Sequence, residues 1–445
     1  MDEALLSVGL DVGTTSTQMV VSRLTVHNRA RAFAVPEMEI REREILYQSP
    51  VYFTPLLEGN RMDAPALRSI VEREYERAGI SRADVDTGAV IVTGETSRTE
   101  NAAAVTEALA DLAGNFVVAA AGPDLESVLA AKGAGAVDYS EKTGETVLHM
   151  DIGGGTSNLA LIRRGEIAAT GCLNVGGRLI KLDGGVITYI SPVLRGIFQG
   201  AVGDRLEKEA GLRLARRLTE ALEMAAGLRP SDGLLERLTT AEAEGTLPLN
   251  APGEALTISF SGGVADCIRQ PLPWERFGDL GVLLGQAIRE SVLCAGKYVL
   301  GSQTIRATVI GAGCHSTQLS GSTVFSQNVL FPLKNIPVIQ SEAQRTQQEG
   351  PVFLALPGMG NPSYQQLSAL AGELAQLPQP IYLCLEQDMA KALGQALALR
   401  LGTNAAILCI DRIRVRAGDY LDVGEQRGPA FPVVVKTLVL QKSET

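Results

Sequence analysis

The stretch that decides the fold is DVGTTST (residues 11–17), together with its near-copy DIGGGTSN (residues 151–158). Each begins with an aspartate that follows a short apolar run, and each is followed by a second apolar run. Gly, Thr and Ser between two apolar runs predict the turn of a β-hairpin. The two aspartates are 140 residues apart, which indicates an internal duplication.

Both turns have the composition of an anion site. Small residues after the aspartate let the backbone approach a ligand, and successive N–H groups form a concavity for an anion. Mg²⁺ favours carboxylates, phosphates and retained water. Two facing turns therefore predict a polyphosphate site, with Asp11 and Asp151 holding the metal. A single Asp-x-Gly turn is common as a plain turn, whereas two copies in the same context favour the site. The expected donors are Gly13, Thr14, Thr15 and Ser16 in the first turn, and Gly153, Gly154, Gly155, Thr156 and Ser157 in the second.

Bulk composition excludes several classes of protein. The chain carries 40 Lys and Arg against 50 Asp and Glu, a net charge of −10, which argues against general binding to nucleic acid or acidic membranes. No uninterrupted apolar run reaches about 18 residues, and the first residues do not read as a secretory signal. The six cysteines lack a Cys-x-x-Cys pair, which indicates scattered reduced thiols in a cytosolic protein.

Outside the two turns, the patterns predict alternating helices and strands. A capped amphipathic helix is expected at residues 63–78 and a buried strand at 89–94. Further predictions are a helix at 99–111, a strand at 116–122, a helix ending at Gly133, helices over 201–245 and 278–300, and two strand-to-glycine units at 256–263 and 307–313.

The paired turns resemble the phosphate motifs of the superfamily that contains actin, Hsp70 and the sugar kinases, over about residues 5–325. The resemblance implies a two-lobed actin-like ATPase of duplicated ribonuclease H-like α/β domains. Asp11 and Gly13 match its first motif, and Asp151, Gly153, Gly154 and Thr156 match its second. LNVGGRLI (173–180) resembles the segment that places two glycines, here Gly176 and Gly177, near the nucleotide; an ordinary turn is the alternative.

The same resemblance suggests an acidic residue in the helix between the lobes. GPDLESVLAAKGAGA (122–136) resembles the connecting helix, in which an acid orients the attacking water or the metal. Asp124 is the matching residue and Glu126 the substitute. A plain helix cap at Asp124 is the alternative.

Two segments compete for adenosine, because each reads as a strand that ends in glycines. FSGGVAD (260–266) offers Gly262 and Gly263, and IGAGCHS (310–316) offers Gly311, Ala312 and Gly313. The second segment is favoured by its position after a helix, and the first by its glycine pair. A structural turn is an equal alternative for either one.

The expected organisation has three parts. Residues 1–140 form the first actin-like lobe, and residues 141–329 form the second, with a helical insertion around 201–245. Residues 330–445, where prolines become frequent, form a C-terminal α/β domain or appendage.

Nearly the whole chain resembles the family of ethanolamine ammonia-lyase reactivating factors. The resemblance rests on LSVGLDVGTTSTQMVVSRL (6–24), VLHMDIGGGTSNLA (147–160) and RAGDYLDVGEQRGPAFPVVVKTLVL (416–440). It implies a chaperone-like ATPase that uses ATP and Mg²⁺ to release damaged or inactive cobalamin from ethanolamine ammonia-lyase, so that adenosylcobalamin rebinds. It also implies a cytoplasmic protein, with association with the ethanolamine-utilisation microcompartment and a homodimer left open. The Asp-x-His-x-x-Gly pattern of a histidine-ligated cobalamin is missing from the sequence.

Two other functions fit the same fold. A small-molecule kinase needs an acceptor pocket with a catalytic carboxylate, and an actin-like filament or scaffold protein needs nucleotide-dependent assembly.

Overall fold

A computed structural model describes most of the 445 residues. The described residues are 3–13, 16–28, 38–57, 61–92, 105, 109, 119–120, 123–240, 246–250, 253–301, 304–315, 317–320, 324–347, 350–360, 362–413, 415, 419–424 and 431–437.

The first sheet is built around the opening hairpin. Its strands are β1 (Glu3–Val12), β2 (Ser16–Asn28), β3 (Met38–Gln48), β4 (Tyr52–Phe53), β5 (Thr87–Val92) and β6 (Ala119–Ala120). The strand order is β3-β2-β1-β5-β6, with β4 paired to β2. β1, β2 and β3 are antiparallel, whereas β5 and β6 run parallel to β1. The predicted hairpin is therefore confirmed.

Helix α1 (Ala64–Ala78) covers the first sheet and confirms the predicted helix. The Ala66 N–H donates to Asp63 Oδ1 at 3.0 Å, which satisfies one of the free donors at the helix start. Gly79 ends the helix in the left-handed conformation, at φ 68°. Leu67 and Val71 pack against Val8 and Leu10 in one core cluster.

The second sheet repeats the first. Its strands are β7 (Thr146–Ile152), β8 (Ser157–Arg163), β9 (Glu166–Leu173), β12 (Thr257–Ser261) and β13 (Tyr298–Leu300). The order is β9-β8-β7-β12-β13, again with three antiparallel strands followed by two parallel ones. In both sheets the third, second and first strands precede two parallel additions. This repeated order identifies the fold as two ribonuclease H-like domains of the actin type.

The segments between these strands are mostly helical. They are α2 (Pro123–Gly133), α3 (Ala136–Thr143), the hairpin strands β10 (Ile180–Asp183) and β11 (Val186–Ile190), α4 (Lys208–Ala225), α5 (Gly233–Leu238), α6 (Gly263–Arg269), α7 (Gly281–Arg289) and α8 (Ala307–His315). Short 3-10 helices lie at Arg82–Asp84, Pro192–Leu194 and Glu342–Gln347.

Two helices pack on the sheet of the other lobe. α2 precedes the second sheet in the chain and packs on β8 and β9, while α8 follows that sheet and packs on β1, β2 and β5. The two helices also contact each other. A Cβ added to Gly133 would collide with the Ala307 carbonyl oxygen, and one added to Gly311 with the Leu129 carbonyl oxygen. These glycines therefore allow the two backbones to touch.

Two predictions about secondary structure are wrong. Residues 307–313 were expected to be a strand and a glycine turn, but they form α8. The helix expected at 278–300 is limited to α7, and its end is the strand β13. Most of the helix expected at 99–111 lies outside the described residues.

The C-terminal part has its own sheet. Its strands are β14 (Thr317–Leu319), β15 (Phe325–Gln327), β16 (Leu333–Ile339), β17 (Phe353–Leu356), β18 (Ile381–Leu385), β19 (Ile407–Asp411), β20 (Asp419–Val423) and β21 (Pro432–Thr437). The order is β14-β21-β20-β16-β17-β18-β19-β15. The helices α9 (Tyr364–Leu374) and α10 (Ala390–Leu401) pack on it. This sheet takes its first strands from before residue 330.

None of the six cysteines, all of which lie in the described part of the chain, forms a disulfide. None of the described helices is both long and apolar enough to cross a membrane.

Candidate functional site

The two Asp-x-Gly turns close in the same way. The Gly13 N–H donates to the Ser16 carbonyl oxygen at 2.9 Å, and the Gly153 N–H donates to the Thr156 carbonyl oxygen at 3.0 Å. In each copy the donor lies two residues after the aspartate and the acceptor five residues after it. The duplication therefore extends to the geometry of the turns. Thr14 and Thr15 lie outside the described residues.

The second turn presents its N–H groups to one side. The Gly153 and Gly154 carbonyl oxygens accept hydrogen bonds from the N–H groups of Gly177 and Arg178, at 3.0 and 2.6 Å. Because a trans peptide points its N–H away from its C=O, the N–H groups of Gly154 and Gly155 face the opposite side. Donors arranged in this way suit an anion.

The paired glycines lie directly against this turn. A Cβ on Gly176 would overlap the Gly154 carbonyl, so only glycine fits there. Ser157, at the start of β8, donates its hydroxyl to the Val175 carbonyl oxygen at 2.7 Å. The segment containing Gly176 and Gly177 is thus fixed beside the second turn, and its contact with a nucleotide stays a prediction.

Asp151 is buried and held by two hydroxyl groups. Ser261, at the end of β12, donates to Oδ1, and Thr308 of α8 donates to Oδ2 at 3.4 Å. Burial raises the pKa of Asp151 to about 6, and the hydrogen bonds from Ser261 and Thr308 oppose that rise. A bound cation would favour the charged form of this carboxylate, which fits the role expected of a metal ligand.

A buried histidine lies behind this carboxylate. His149 Nε2 is 2.9 Å from Ser261 Oγ, and His149 Nδ1 is 3.0 Å from Ser259 Oγ. Because the Ser261 hydroxyl proton goes to Asp151, Nε2 must carry the proton that Ser261 accepts. Burial lowers the pKa of His149 to about 3, so the ring is neutral. His149 thereby orients Ser261 toward Asp151.

Two amide side chains occupy matching positions opposite the aspartates. Gln18 pairs with Asp11 across β1 and β2, and Asn158 pairs with Asp151 across β7 and β8. Both side chains are buried, and within the described chain neither Gln18 Oε1 nor Asn158 Oδ1 has a hydrogen-bond partner. Buried oxygens of this kind require a partner such as water or a ligand. The duplication therefore places one such acceptor opposite each of Asp11 and Asp151, the two carboxylates predicted to hold the metal.

One short segment connects the two turns. Gln18 Nε2 donates to the Ile305 carbonyl oxygen at 3.1 Å, and Thr308 bonds Asp151 three residues later. Arg306 donates to the Ser49 carbonyl oxygen at 2.7 Å. The start of α8 therefore contacts the neighbourhood of both turns, which brings the two halves of the site together.

The remaining acidic candidates lie in different surroundings. Asp11 is half-buried at the end of β1. Asp124 lies in the first turn of α2, where Thr170 of β9 donates a hydrogen bond to its Oδ1. Glu126 is half-buried in the same turn. The water-orienting role of Asp124, or of Glu126 as its substitute, stays a prediction.

The structure separates the two adenosine candidates. Gly262 follows β12 with φ 84° and is itself packed against the Ile152 carbonyl, but a Cβ on Gly263 would meet nothing within 4 Å. In contrast, Gly311 is packed against Leu129, and Gly313 against Gly9. The backbone around Gly311, Ala312 and Gly313 is therefore enclosed in a helix contact, and which of the two segments contacts adenosine stays a prediction.

Several residues of this site were not identified from the sequence. They are Gln18, His149, Asn158, Arg178, Ser261 and Thr308. Two of them carried a usable signal, because Gln18 and Asn158 each stand seven residues after an aspartate of the duplicated pattern. The others are brought to the site by tertiary contacts that no local pattern records.

Comparison with known proteins finds similarity along nearly the whole chain. The family described as Ethanolamine utilisation protein EutA matches residues 3–352 and 344–441. A protein named ethanolamine ammonia-lyase reactivase EutA, from Salmonella typhimurium, is 40% identical over 98% of this chain and 98% of its own length. The protein of the same name from Escherichia coli is 39% identical over the same shares.

Among solved structures, the Aquifex aeolicus PPX-GPPA enzyme aligns with 69% of this chain and 99% of its own, at 12% identity and a TM-score of 0.41. Ethanolamine utilization protein EutJ from Carboxydothermus hydrogenoformans aligns with 70% and 89%, at 16% identity and a TM-score of 0.35. The assignment of the fold rests on the repeated strand order rather than on these alignments.

Proposed function

This chain belongs to the family of ethanolamine utilisation protein EutA, and we propose that it is an ATP-dependent reactivase of ethanolamine ammonia-lyase. The observation that carries this proposal is the similarity to two named reactivases over 98% of both chains. Similarity over the full length favours a reactivase over a small-molecule kinase or a filament protein, because it includes the C-terminal sheet as well as the two lobes.

We propose that the polyphosphate of ATP lies between the two turns. The N–H groups of Gly154 and Gly155 support this, and Gly13 closes the equivalent turn in the first lobe. Asp11 and Asp151 would hold Mg²⁺, which when bound neutralises charge on the phosphates. Ser261, Thr308 and His149 keep the Asp151 carboxylate oriented for that task.

The amide oxygens of Gln18 and Asn158 are available to accept further hydrogen bonds at this site. Gln18 Oε1 and Asn158 Oδ1 are buried acceptors next to the two aspartates. We propose that they accept hydrogen bonds from water molecules at the metal and the phosphates. Asp124, or Glu126 in its place, would orient the attacking water, as the resemblance to the superfamily implies.

We place the adenosine at Gly262 and Gly263. Gly262, with φ 84°, follows the buried strand β12, and Gly263 is exposed with open space where a Cβ would stand. A purine needs such an approach to the backbone. This assignment replaces the one at residues 311–313.

The coupling to the lyase rests on lobe movement. A nucleotide held by both turns would draw the lobes together, and closure changes the surface offered to a partner protein. Release of spent cobalamin then requires that the two nucleotide states differ in affinity for the lyase. We propose a cytoplasmic protein with the domains 1–140, 141–329 and 330–445 along the sequence, which acts on a lyase of the ethanolamine-utilisation microcompartment. In space α2 and α8 pack on the sheet of the opposite lobe, and β14 and β15 join the C-terminal sheet.

The decisive experiment uses ethanolamine ammonia-lyase blocked with cyanocobalamin. The purified chain with Mg-ATP and adenosylcobalamin should restore activity, and omission of ATP should abolish the rescue. Asp151→Asn keeps the size of the side chain but removes its charge, and should lower the rescue and the ATPase rate by about 100-fold or more. Asp183→Asn changes an exposed aspartate of the second lobe and should behave as the unchanged protein. Absence of rescue by the unchanged protein would refute the proposal.

A further inference from the structure

An arginine lies at the second turn, and its side chain has no role in the site described so far. The Arg178 N–H donates to the Gly154 carbonyl oxygen at 2.6 Å, so its backbone is fixed to the turn. Its Nε donates to Asp279 Oδ2 at 3.2 Å. Asp279 is itself buried and accepts from the Gly281 N–H at 2.8 Å through Oδ1. Both the backbone and the head group of Arg178 are thus held by the second lobe.

The guanidinium extends toward the first lobe. Its Cζ lies 6.0 Å from the centre of the Phe53 ring, at the outer limit of a cation–π contact. Phe53 pairs with Ser16 in β4 and β2, directly after the first turn. The ring is 81% exposed, although it is large and apolar. The positive charge of Arg178 therefore lies between the second turn and Phe53, a residue of β4 that pairs with the start of β2.

The charges of the site call for such a cation. Neither DVGTTST nor DIGGGTSN contains Lys or Arg, whereas each contains an aspartate. The two terminal amino groups of Arg178 have no hydrogen-bond partner in the described part of the chain. Arginine presents such groups as a planar fork that fits phosphate oxygens.

We propose that Arg178 contacts the terminal phosphate of a nucleoside triphosphate held between the two turns. Asp279 aims the guanidinium, and Phe53 keeps it over the cleft when no nucleotide is bound. Arg178 thereby makes the site prefer the triphosphate to the diphosphate. This inference rests on the proposed function, because it requires nucleotide at the two turns.

The test compares ATPγS and ADP binding, each with Mg²⁺, by calorimetric titration of the full-length chain. Arg178→Ala should weaken ATPγS binding by about 10- to 100-fold, since it removes hydrogen bonds to a charged group. It should change ADP binding much less, so that the preference between the two nucleotides is reduced. Arg178→Lys should restore part of the preference, because it returns the charge without the fork.

Arg163→Ala is the matched control, because Arg163 also makes an ion pair with one carboxylate, Glu254, at 3.0 Å, but is exposed at the far end of β8. It should bind both nucleotides as the unchanged chain does. Thermal unfolding without nucleotide shows whether each variant is folded. If folded Arg178→Ala keeps the original preference, or loses ATPγS and ADP equally, the inference is wrong. If the unchanged chain binds neither nucleotide, the proposed function fails and the inference with it.

Discussion

The internal duplication of this chain is visible in individual side chains as well as in the order of the strands. Gln18 and Asn158 are both buried, both stand opposite an aspartate, and both leave an amide oxygen without a partner in the described residues. A buried acceptor without a partner destabilises a fold, so its retention at two equivalent positions indicates a functional contact. We therefore propose that the two residues act with Asp11 and Asp151 at the nucleotide site.

We expect Asn158→Ala to lower the ATPase rate by about 10- to 100-fold, because an oriented acceptor beside the metal is lost. Nucleotide affinity should change far less. Steady-state phosphate release and calorimetric binding measure the two effects separately. Asn250→Ala is the control, since Asn250 is also buried and its Oδ1 has no partner among the described residues, but it follows Leu249, which packs in the core of the second lobe. Equal rates for the Asn158 and Asn250 variants would contradict the assignment.

His149 predicts a specific dependence of stability on pH. Burial lowers its pKa from 6.5 to about 3, so between these values the unfolded chain binds a proton that the folded chain does not. The free energy of unfolding therefore falls as the pH falls from about 6.5 toward 3, by at most about 1.4 kcal/mol per pH unit from this group.

His149→Gln removes the group that takes up a proton on unfolding, and it leaves an amide near Ser261. Urea unfolding at several pH values between about 5 and 7.5, without nucleotide or metal, should show a shallower loss of stability for the variant than for the unchanged chain. Parallel curves for the two proteins would show that His149 does not titrate on unfolding.

At the scale of elements, the contact between α2 and α8 depends on glycine. A Cβ on Gly311 would overlap the Leu129 carbonyl. Because this carbonyl belongs to the backbone, it cannot rotate away from the added atom. Gly311→Ala should therefore destabilise the fold by about 1–3 kcal/mol or more, as overpacking does. Gly233→Ala is the control, because its Cβ would meet nothing within 4 Å at the start of α5. Urea unfolding that gives equal stabilities would disprove the role of the close contact.

The same helix shows where sequence reasoning succeeds and fails. The hairpins are predictable because a glycine-rich turn between apolar strands is a local signal, and α1 is predictable from its cap and its periodicity. α8 is not predictable from its sequence, because Thr308, Val309 and Ile310 are β-branched residues that favour a strand, and the glycines after them are typical of a turn. Packing between a sheet and another helix overrides that local preference. Thr308 reaches Asp151 only through this packing, and Ser261 only through the pairing of β12 with β7, so neither could be predicted.

At the scale of the molecule, the proposed site lies between the two lobes, and we expect nucleotide to change how the lobes are arranged. We expect limited trypsin digestion to give a different fragment pattern with Mg-ATP than without it, because closure alters access to the cleft. Asp151→Asn should digest in the same way under both conditions. Identical patterns for the unchanged chain with and without Mg-ATP would argue against closure.

The packing of α2 and α8 on opposite lobes limits how the chain can be divided. A cut between α3 and β7 would give an N-terminal fragment whose sheet lacks α8 and a C-terminal fragment whose sheet lacks α2. Each fragment would expose an apolar surface that only its counterpart can cover. The two halves, although built on one repeated plan, are therefore not independent folding units, and a split version would have to assemble from both fragments before either became native.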